Sequence, residues 1–573
     1  MLHSNRWQTA PLLTPLADEA LAAFPPILRQ VLFNRGYASD AEGRAFLNAK
    51  MDFDIDPFQM TGMDKAVGRI RQAIESREPI AIYGDYDVDG VTATALLVQV
   101  LQALGAEVSP YIPNRFDEGY GLNPEALSAL KEKGVGLVIS VDCGVRSPAE
   151  VAYASSIGLD MIISDHHQPA NGDLPPALAV INPKQTGDPY PDKDLAGVGV
   201  AYKIAQALMG NGNSPAGEGR WSGFLDDLLD LVALGTVADL APLVGENRSL
   251  VRRGLQKMRE TKRQGLFSLA AVSDLSLTRI NATSIGFILG PRLNAAGRLE
   301  SALAAYELLV TKDVKRAGEL AQLLNVQNRQ RQEITRRIQE QAEAIALAED
   351  PESHLLFAVH PEFNSGVVGL AAARLTETYY RPAIVGQIVD GTIRCSCRSI
   401  PEFHITAALD QCKDLLVRHG GHAAAAGFTV SSENLDTLKE RLKAIAAEQL
   451  RGLDLRRTLN ADAEVPLSDL RPELLRYLDY LQPTGYGNPE AVFISRNVRV
   501  TNARTVGSES RHLKLVVTDG RVTFDAIGFR LGHLKPELPL RVDLIYTFEA
   551  NEYNGRTSLQ LNLKDVKPTG VPD

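Results

Sequence analysis

Gly84-Asp85-Tyr86-Asp87-Val88-Asp89-Gly90 is the stretch that decides the fold, because it joins an apolar run to an Ala/Val/Leu-rich run. The first run, Ile80 to Tyr83, predicts a buried parallel strand, and the second, Val91 to Leu104, predicts a helix. Open α/β sheets place their ligand sites at the carboxyl ends of strands, which is where this turn lies. The sequence therefore predicts a ligand site built on carboxylates.

The three carboxylates of this turn, Asp85, Asp87 and Asp89, predict a divalent metal ion. Alternate residues of an extended turn point the same way, so at least two of the three can converge. Bringing such charges within a few ångströms costs several kcal/mol unless a cation neutralises them. A solvated acidic loop and a calcium-binding turn are the alternatives that this stretch alone leaves open.

The composition is that of an ordinary globular protein with room for three or four domains. The 573 residues are 45% hydrophobic and 23% charged. The first thirty residues lack a basic start followed by an apolar core, and no run of eighteen apolar residues occurs, so we expect a cytoplasmic protein without membrane segments. The four cysteines lack Cys-x-x-Cys spacing, which favours neither a disulfide framework nor a structural zinc site.

The charge distribution points to one candidate surface for a polyanion. The net charge of -10 argues against a protein that coats nucleic acid non-specifically. Residues 496 to 567, however, hold twelve Lys/Arg against eight Asp/Glu. The same region alternates apolar and polar residues between glycine turns, which predicts a small antiparallel barrel. An OB-fold that binds single strands is the leading interpretation, and a purely structural barrel is the competing one.

Strands and helices alternate after the acidic turn, which predicts a doubly wound parallel sheet. Two further predicted strands end in candidate ligands. Leu137–Val141 is followed by Asp142, and Met161–Ile163 leads to Asp165-His166-His167. Asp239 follows a helical run in an apolar setting, where a buried carboxylate needs a partner. Because a metal shared with the first cluster supplies that partner, we expect one site at this edge of the sheet.

A second α/β unit is predicted after a strongly helical stretch, residues 299 to 349. It contains Arg394-Cys395-Ser396-Cys397-Arg398-Ser399 and Gly420-Gly421-His422. Arginine, serine and histidine are typical phosphate contacts, and paired glycines let backbone approach a ligand. A tight turn with one capping serine is the alternative.

Four motifs together resemble those of the DHH phosphoesterase family: GDYDVDG, VDCG, SDHHQP and GTVADLAPL, in that order. GGHAAAAGF is similar to the family's DHH-associated domain, and the layout with a terminal barrel resembles that of its bacterial single-strand-specific exonucleases. The resemblance implies that two Mn²⁺ or Mg²⁺ ions are held by Asp85, Asp87, Asp89, Asp142, His166 and Asp239.

The resemblance also implies the roles of individual side chains. Asp142 and Asp239 would bridge the ions, and His167 would face the reacting phosphate, which makes these three the catalytic candidates. Residues matching the family's 5′-phosphate and substrate contacts are Arg115, Arg298, Ser396, Arg398 and His422. Two positions depart from the family pattern: Phe363-Asn364-Ser365 stands where Trp-His is usual, and Cys397 stands where glycine is usual. Both concern the nucleotide groove rather than the metal ligands.

The function implied is a metal-dependent 5′-to-3′ exonuclease that hydrolyses single-stranded DNA to 5′-mononucleotides in DNA repair and recombination. The alternatives are a DHH phosphodiesterase of short oligonucleotides or cyclic dinucleotides, and a non-catalytic DNA-binding scaffold. The family also suggests a monomer that works with single-strand binding protein and a RecQ-type helicase. The expected domains are an N-terminal helical segment (1–60), a DHH domain (61–310), a linking helix (311–350), a DHH-associated domain (351–455) and an OB-fold (456–573).

Overall fold

The computed structural model describes residues 5–48, 55–114, 121–170, 173–210, 221–553 and 556–571. The chain divides into two compact units, one made of Trp7–Asn325 with Leu459–Asp573 and the other of Val326–Thr458. Within the described residues, none of the helices combines the length and apolar character needed to span a bilayer.

The N-terminal residues form one strand and three helices that share a core with the C-terminal barrel. Apolar residues of these helices, among them Leu28, Leu32 and Phe46, are buried in one cluster with barrel residues such as Phe493. Prolines occupy the first turns of the first two helices, where a missing N–H costs nothing. The elements are β1 (Arg6–Thr9), α1 (Pro15–Ala20), α2 (Pro26–Asn34) and α3 (Asp40–Asn48).

A five-stranded parallel sheet with helices on both faces follows, as predicted. Ile80 and Ile82 face one core, whereas Ala81 and Tyr83 face another, so β2 is buried on both sides. The strand order is β3-β2-β4-β5-β6. The strands are β2 (Ile80–Tyr83), β3 (Val108–Tyr111), β4 (Leu137–Val141), β5 (Asp160–Ser164) and β6 (Ala179–Ile181), and the helices are α4 (Met63–Ser76), α5 (Val88–Ala103), α6 (Pro124–Glu132), α7 (Pro148–Ser156) and α8 (Gly197–Met209).

Helix α5 begins three residues earlier than predicted. Asp87 caps it by accepting hydrogen bonds from the Asp89 and Gly90 N–H groups at 2.9 and 3.1 Å. Asp89 therefore lies in the first helical turn rather than in an extended turn. The expectation that at least two of the three carboxylates converge is confirmed for the alternate residues Asp85 and Asp87, which share one group of candidate ligands. Asp89 departs from the extended turn, because the capping side chain starts the helix at Val88.

Further helices follow along the chain, and one of them ends next to Asp239. All of them lie in the first unit except the last, which belongs to the second unit from Val326 onward. Helix α10 is buried from Leu229 to Val237 and ends one residue before this aspartate. The predicted helical stretch 299 to 349 is two helices, because α15 ends at Val310 and α16 begins at Val314. These elements are α9 (Ser222–Asp227), α10 (Leu229–Ala238), α11 (Gly245–Arg259), α12 (Gln264–Ala271), α13 (Ala282–Ser284), α14 (Gly290–Leu299), α15 (Leu303–Val310) and α16 (Val314–Glu349).

The second unit holds a mixed five-stranded sheet of order β10-β11-β9-β8-β7. Only its β7–β8 pair is parallel among the described pairings. The sequence around Ser396 is a strand and not the tight turn that was the alternative. The elements are β7 (Leu356–His360), α17 (Val368–Tyr379), β8 (Ala383–Val389), β9 (Thr392–Arg398), α18 (Ile405–Asp410), β10 (Leu416–Gly421), β11 (Ala425–Ser431) and α19 (Leu435–Leu450).

The C-terminal region is a closed barrel, which confirms the predicted OB-type architecture. Its order is β13-β14-β15-β16-β18-β17, and pairing between β14 and β17 closes it. The barrel is not purely antiparallel, because β16 pairs with β18 in parallel, as does β13 with β14. The elements are β12 (Thr458–Ala461), β13 (Ala463–Glu464), α20 (Pro472–Asp479), β14 (Val492–Val506), β15 (His512–Thr518), β16 (Thr523–Gly528), β17 (Arg541–Tyr553) and β18 (Arg556–Pro568).

Candidate metal centre

The acidic turn after β2 presents its three carboxylates at the carboxyl edge of the parallel sheet. Asp85 follows the strand directly and is 3% exposed, and Asp89 is 1% exposed. Gly90 allows this packing, since a Cβ at that position would lie 2.6 Å from the Asp85 backbone nitrogen. The turn is thus too tight for a larger residue, and the carboxylates are held away from bulk water.

Asp89 is fixed by the N-terminus of α8. Its two carboxylate oxygens accept hydrogen bonds from the backbone N–H groups of Gly197 at 2.6 Å and Val198 at 2.8 Å. Sequence reasoning missed these residues, although Gly197-Val198-Gly199-Val200 at the start of a helix is the kind of signal that accompanies anion binding by backbone amides. Gly197 is also sterically required, because a Cβ there would lie 2.8 Å from the Asp142 Cβ.

Asp142 stands at the end of β4 in a left-handed backbone conformation, with φ of 60°. Its N–H donates to the Ser164 carbonyl at 3.0 Å, which holds the turn against β5. A non-glycine residue in this region costs roughly 1–2 kcal/mol, and such strain is concentrated at functional sites. The side chain is 2% exposed and is aimed at His166.

Asp165 organises the two histidines that follow it. Its Oδ1 accepts from the His166 N–H at 2.7 Å and lies 2.8 Å from the His167 Nδ1, and its Oδ2 accepts from the Val145 N–H at 2.9 Å. Burial alone raises the pKa of Asp165, but the hydrogen bond and charge of His167 prevail and lower this pKa to about 2. Asp165 was a candidate ligand from its position in the sequence. In the structure its carboxylate instead orients the two histidines that follow it.

The six predicted metal ligands converge in three overlapping groups. The ligand atoms within each group all lie within 4.8 Å of one another. Asp239, the residue that caps the C-terminus of α10, joins them with its Oδ2 3.8 Å from the His166 Nε2. The groups are Asp85, Asp87 and Asp142; Asp89, His166 and Asp239; and Asp142, His166 and His167.

Burial and mutual repulsion make this cluster costly without a cation. Burial, followed by the neighbouring carboxylates, raises the pKa of Asp89 to about 7 and that of Asp239 to about 9, and it raises the pKa of Asp142 well above its usual range. Burial also lowers the pKa of His166 to about 3, so its imidazole is neutral and able to ligate. A divalent ion would offset this repulsion, and carboxylate oxygens are the hard ligands that such ions favour.

Two atoms in the middle of the cluster test whether a metal ion fits. Asp142 Oδ1 and His166 Nε2 are buried 3.1 Å apart, and neither has a hydrogen-bond partner among the described residues. A buried carboxylate oxygen and an imidazole nitrogen left in this state are expensive unless both face a common cation. The residues therefore fit a metal ion.

Of the predicted phosphate contacts in the first unit, Arg298 lies next to the acidic turn. It stands in the last turn of α14, and the preceding Gly297 packs so closely that a Cβ would lie 2.6 Å from the Tyr86 carbonyl oxygen. In the same helix, Asn294 accepts a hydrogen bond from the Val88 N–H at 3.1 Å. Arg115 lies outside the described residues.

In the second unit, Ser396 and Arg398 lie side by side beneath the first turn of α17. A Cβ on Gly369 of that turn would lie 3.5 Å from the Ser396 Oγ and 3.4 Å from the Arg398 Nη2. Burial lowers the pKa of Arg398, which nevertheless keeps its charge at neutral pH. A hydroxyl, a guanidinium and a helix N-terminus together form a setting suited to phosphate. His422 is exposed in the turn between β10 and β11.

The two departures from the family pattern, at Cys397 and Asn364, lie in a buried position of a strand and in a turn. Cys397 points away from the Ser396 face into the core and is fully buried, and burial raises the pKa of its thiol to about 12. Asn364 accepts a hydrogen bond from the Gly366 N–H at 2.8 Å and shapes the turn that enters α17. Cys397 therefore leaves the Ser396 face unchanged.

Comparisons with known proteins identify the class to which this fold belongs. Three family models match: the DHH family N-terminal domain over residues 79–236, the DHHA1 domain over 352–448 and the RecJ OB domain over 461–565. The parallel sheet, its acidic edge and the DHH triplet thus define a phosphoesterase of the DHH class.

Relatives that match nearly the whole of this chain identify the particular family within that class. The chain is 38% identical to the single-stranded-DNA-specific exonuclease RecJ of Bacillus subtilis, covering 94% of this chain and 68% of the relative, and 37% identical to that of Dickeya dadantii, covering 97% and 98%. The crystal structure of Thermus thermophilus RecJ with Mn²⁺ matches with a TM-score of 0.85 at 30% identity, covering 100% of this chain and 81% of that one. Its Mg²⁺ complex matches with a TM-score of 0.79 at 28% identity, covering 100% and 80%. The chain belongs to the RecJ family of single-stranded-DNA-specific exonucleases.

Proposed function

We propose that this protein hydrolyses single-stranded DNA from the 5′ end to 5′-mononucleotides, in DNA repair and recombination. The observation that carries the proposal is the unpartnered pair of buried ligand atoms, Asp142 Oδ1 and His166 Nε2, at the centre of three overlapping ligand groups. Such an arrangement serves metal-dependent phosphodiester hydrolysis. The RecJ relatives support single-stranded DNA as the substrate.

We propose that Asp85, Asp87, Asp89, Asp142, His166 and Asp239 hold two divalent ions, Mn²⁺ or Mg²⁺, and that Asp142 and Asp239 are shared between them. When bound, the ions would supply an activated water and neutralise charge on the phosphate. The carboxylates contribute by holding fixed positions before substrate arrives, because the N-terminus of α8 orients Asp89 and a backbone hydrogen bond to β5 holds Asp142. Asp165 holds the ring of His167, which we propose to face the reacting phosphate.

Ser396 and Arg398 are the proposed contacts to the terminal 5′-phosphate. A terminal phosphate carries more charge than an internal diester, and each charge-assisted hydrogen bond contributes roughly 1.5–3 kcal/mol. The placement of both side chains under the N-terminus of α17 supports this role. Arg115, Arg298 and His422 remain proposed contacts to the DNA strand.

The C-terminal barrel is proposed to bind the single strand beyond the site of cleavage, using its surplus of basic residues.

We also propose the domain boundaries predicted from the sequence, after residues 60, 310, 350 and 455. We further propose a cytoplasmic monomer that acts with single-strand binding protein and a RecQ-type helicase, since both would deliver single-stranded DNA.

The test is digestion of oligonucleotides labelled separately at each end, as single strands and as duplexes, with Mn²⁺, Mg²⁺ or chelator. We expect immediate release of labelled mononucleotide from the 5′ end of the single strand, late loss of the 3′ label, and no reaction with chelator. A blunt duplex should resist. Early release of the 3′ label would overturn the polarity. A preference for cyclic dinucleotides over long strands would move the chain to another activity of the DHH class.

A further inference from the structure

The helix end that carries Asp239 has an unusual backbone for its sequence. The Leu240 N–H donates to the Val237 carbonyl at 3.3 Å and the Ala241 N–H donates to the Thr236 carbonyl at 3.2 Å, which is the Schellman pattern. That pattern needs a left-handed residue, normally glycine, but here it is Leu240 with φ of 62°. Because leucine disfavours this conformation, interactions outside the helix end must hold it.

A turn from the C-terminal region holds the residues that follow. The Leu243 N–H donates to the Tyr486 carbonyl at 2.7 Å. A Cβ on Gly487 would lie 2.9 Å from the Pro242 Cβ, and a Cβ on Gly485 would lie 2.8 Å from the Leu243 Cδ1. Glycine at both positions therefore lets this turn lie directly against Pro242 and Leu243, three and four residues after Asp239.

The turn is itself rigidly bonded. Asn488 is 1% exposed and donates to the carbonyls of Leu481 at 2.9 Å and Pro483 at 2.7 Å. Arg248, on the helix that follows Leu243, is 2% exposed and donates to Tyr480, Leu481 and Pro483 carbonyls at 2.8, 2.7 and 3.2 Å. The turn is thus held by its own hydrogen bonds and tied to α11, the helix that follows Leu243.

We infer that the turn Pro483–Asn488, which leads into the barrel, is a positioning element for the metal centre, because it fixes Pro242 and Leu243 and thereby the direction of Asp239. The inference rests on the proposed role of Asp239 as a metal ligand. Loss of an outer-shell partner that hydrogen-bonds to a metal ligand typically costs about 10–100-fold in metal affinity. Because this turn acts on Asp239 through Pro242 and Leu243, we expect an effect at the lower end of that range. The C-terminal region therefore contributes to metal binding as well as to DNA binding.

The test compares three full-length glycine variants by titration with Mn²⁺, in which free Mn²⁺ is followed by its EPR signal without DNA. Gly487→Ala should weaken Mn²⁺ binding about 10-fold, because it combines a clash with Pro242 and a φ of 74°. Gly485→Ala should have a smaller effect, since its clash is with the end of a leucine side chain. Gly570→Ala is the matched control, because its φ is 84° and nothing lies within 4 Å of its Cβ.

Kinetics add a second readout that general destabilisation does not reproduce. In Gly487→Ala the Mn²⁺ concentration for half-maximal hydrolysis should rise by the same factor, while kcat at saturating Mn²⁺ and the affinity for single-stranded DNA stay at wild-type values. If Gly487→Ala does not fold, Gly485→Ala decides by the same measurements. The inference would be overturned if a folded Gly487→Ala bound Mn²⁺ with wild-type affinity. If Gly487→Ala does not fold, wild-type affinity in Gly485→Ala would overturn it instead. Wild-type Mn²⁺ binding by Asp239→Ala would instead overturn the proposed ligand role.

Discussion

The parallel sheet and the mixed sheet carry their candidate functional residues in different places, and burial explains the difference. Strand β2 of the parallel sheet is buried on both faces, so only the strand ends are open to a ligand. Strand β9 of the mixed sheet alternates between buried and partly exposed residues, so its side chains can serve a ligand along the strand. The same kinds of elements thus yield a site at an edge in one sheet and on a face in the other.

The charges of the two regions differ in the same way. The edge of the parallel sheet gathers carboxylates and a neutral imidazole, which need a cation. The face of the mixed sheet offers a hydroxyl, a guanidinium and a helix N-terminus, which suit an anion. We expect changes at the edge to affect catalysis for all substrates, and changes at the face to affect the recognition of one kind of DNA end.

The largest effect is expected for Asp142→Ala, which removes the carboxylate common to two of the ligand groups. Hydrolysis should fall roughly 1,000-fold or more. Without metal, the variant should melt at or above the wild-type temperature, because a buried and repelled carboxylate is gone. Mn²⁺ should raise the melting temperature of the wild type far more than that of the variant, as calorimetry would show.

Asp160→Ala is the control for this change, since Asp160 is exposed at the opposite, amino-terminal end of β5. It should retain both hydrolysis and stabilisation by Mn²⁺. Wild-type turnover by Asp142→Ala, after metal has been stripped and restored, would remove the edge of the parallel sheet as the site of catalysis.

The second prediction concerns Gly197→Ala, which alters the support of the edge without removing a ligand. The new methyl group would lie 2.8 Å from the Asp142 Cβ and disturb the N–H group bound to Asp89. We expect Mn²⁺ affinity to fall about 10–100-fold, measured by titration calorimetry. In Gly199→Ala the nearest contact is 3.4 Å, to Leu195, so this control should bind Mn²⁺ normally. Equal affinities for the two variants would contradict the role of α8.

Much of the candidate metal centre at the edge of the parallel sheet could be predicted from the sequence, because the relevant signals are local. Asp85, Asp142 and His166 each follow an apolar run of strand length, and parallel strands bring such positions together. The role of the Gly197 and Val198 amides could not be predicted, because their hydrogen bonds to Asp89 join residues more than a hundred positions apart. The contact of Tyr486 with Leu243 is hidden for the same reason, since it depends on docking and not on periodicity.

The third prediction concerns Arg398→Ala on the face of the mixed sheet. For 5′-phosphorylated single strands kcat/KM should fall about 10–100-fold, through KM, because one charge-assisted contact is lost. For 5′-hydroxyl strands the loss should be small. Arg394→Ala is the matched control, since Arg394 shares the face of β9 but lies four residues, about 13 Å, along the strand. Equal losses on both kinds of end would place Arg398 elsewhere on the DNA.

The smallest functional effect is expected for Cys397→Gly, which introduces the residue that the family usually has. Cys397 is fully buried and belongs to a core cluster with Phe403 and Leu438, on the side of β9 opposite to Ser396 and Arg398. Glycine should lower the free energy of unfolding by about 2 kcal/mol, from lost burial and from the added backbone freedom of the unfolded chain, as chemical denaturation would measure. Because the thiol does not reach the open face, kcat and KM for 5′-phosphorylated strands should not change. A change in KM that exceeds the effect of a core control such as Cys395→Gly, on the same buried side of the strand, would show that residue 397 shapes the phosphate contact through the backbone.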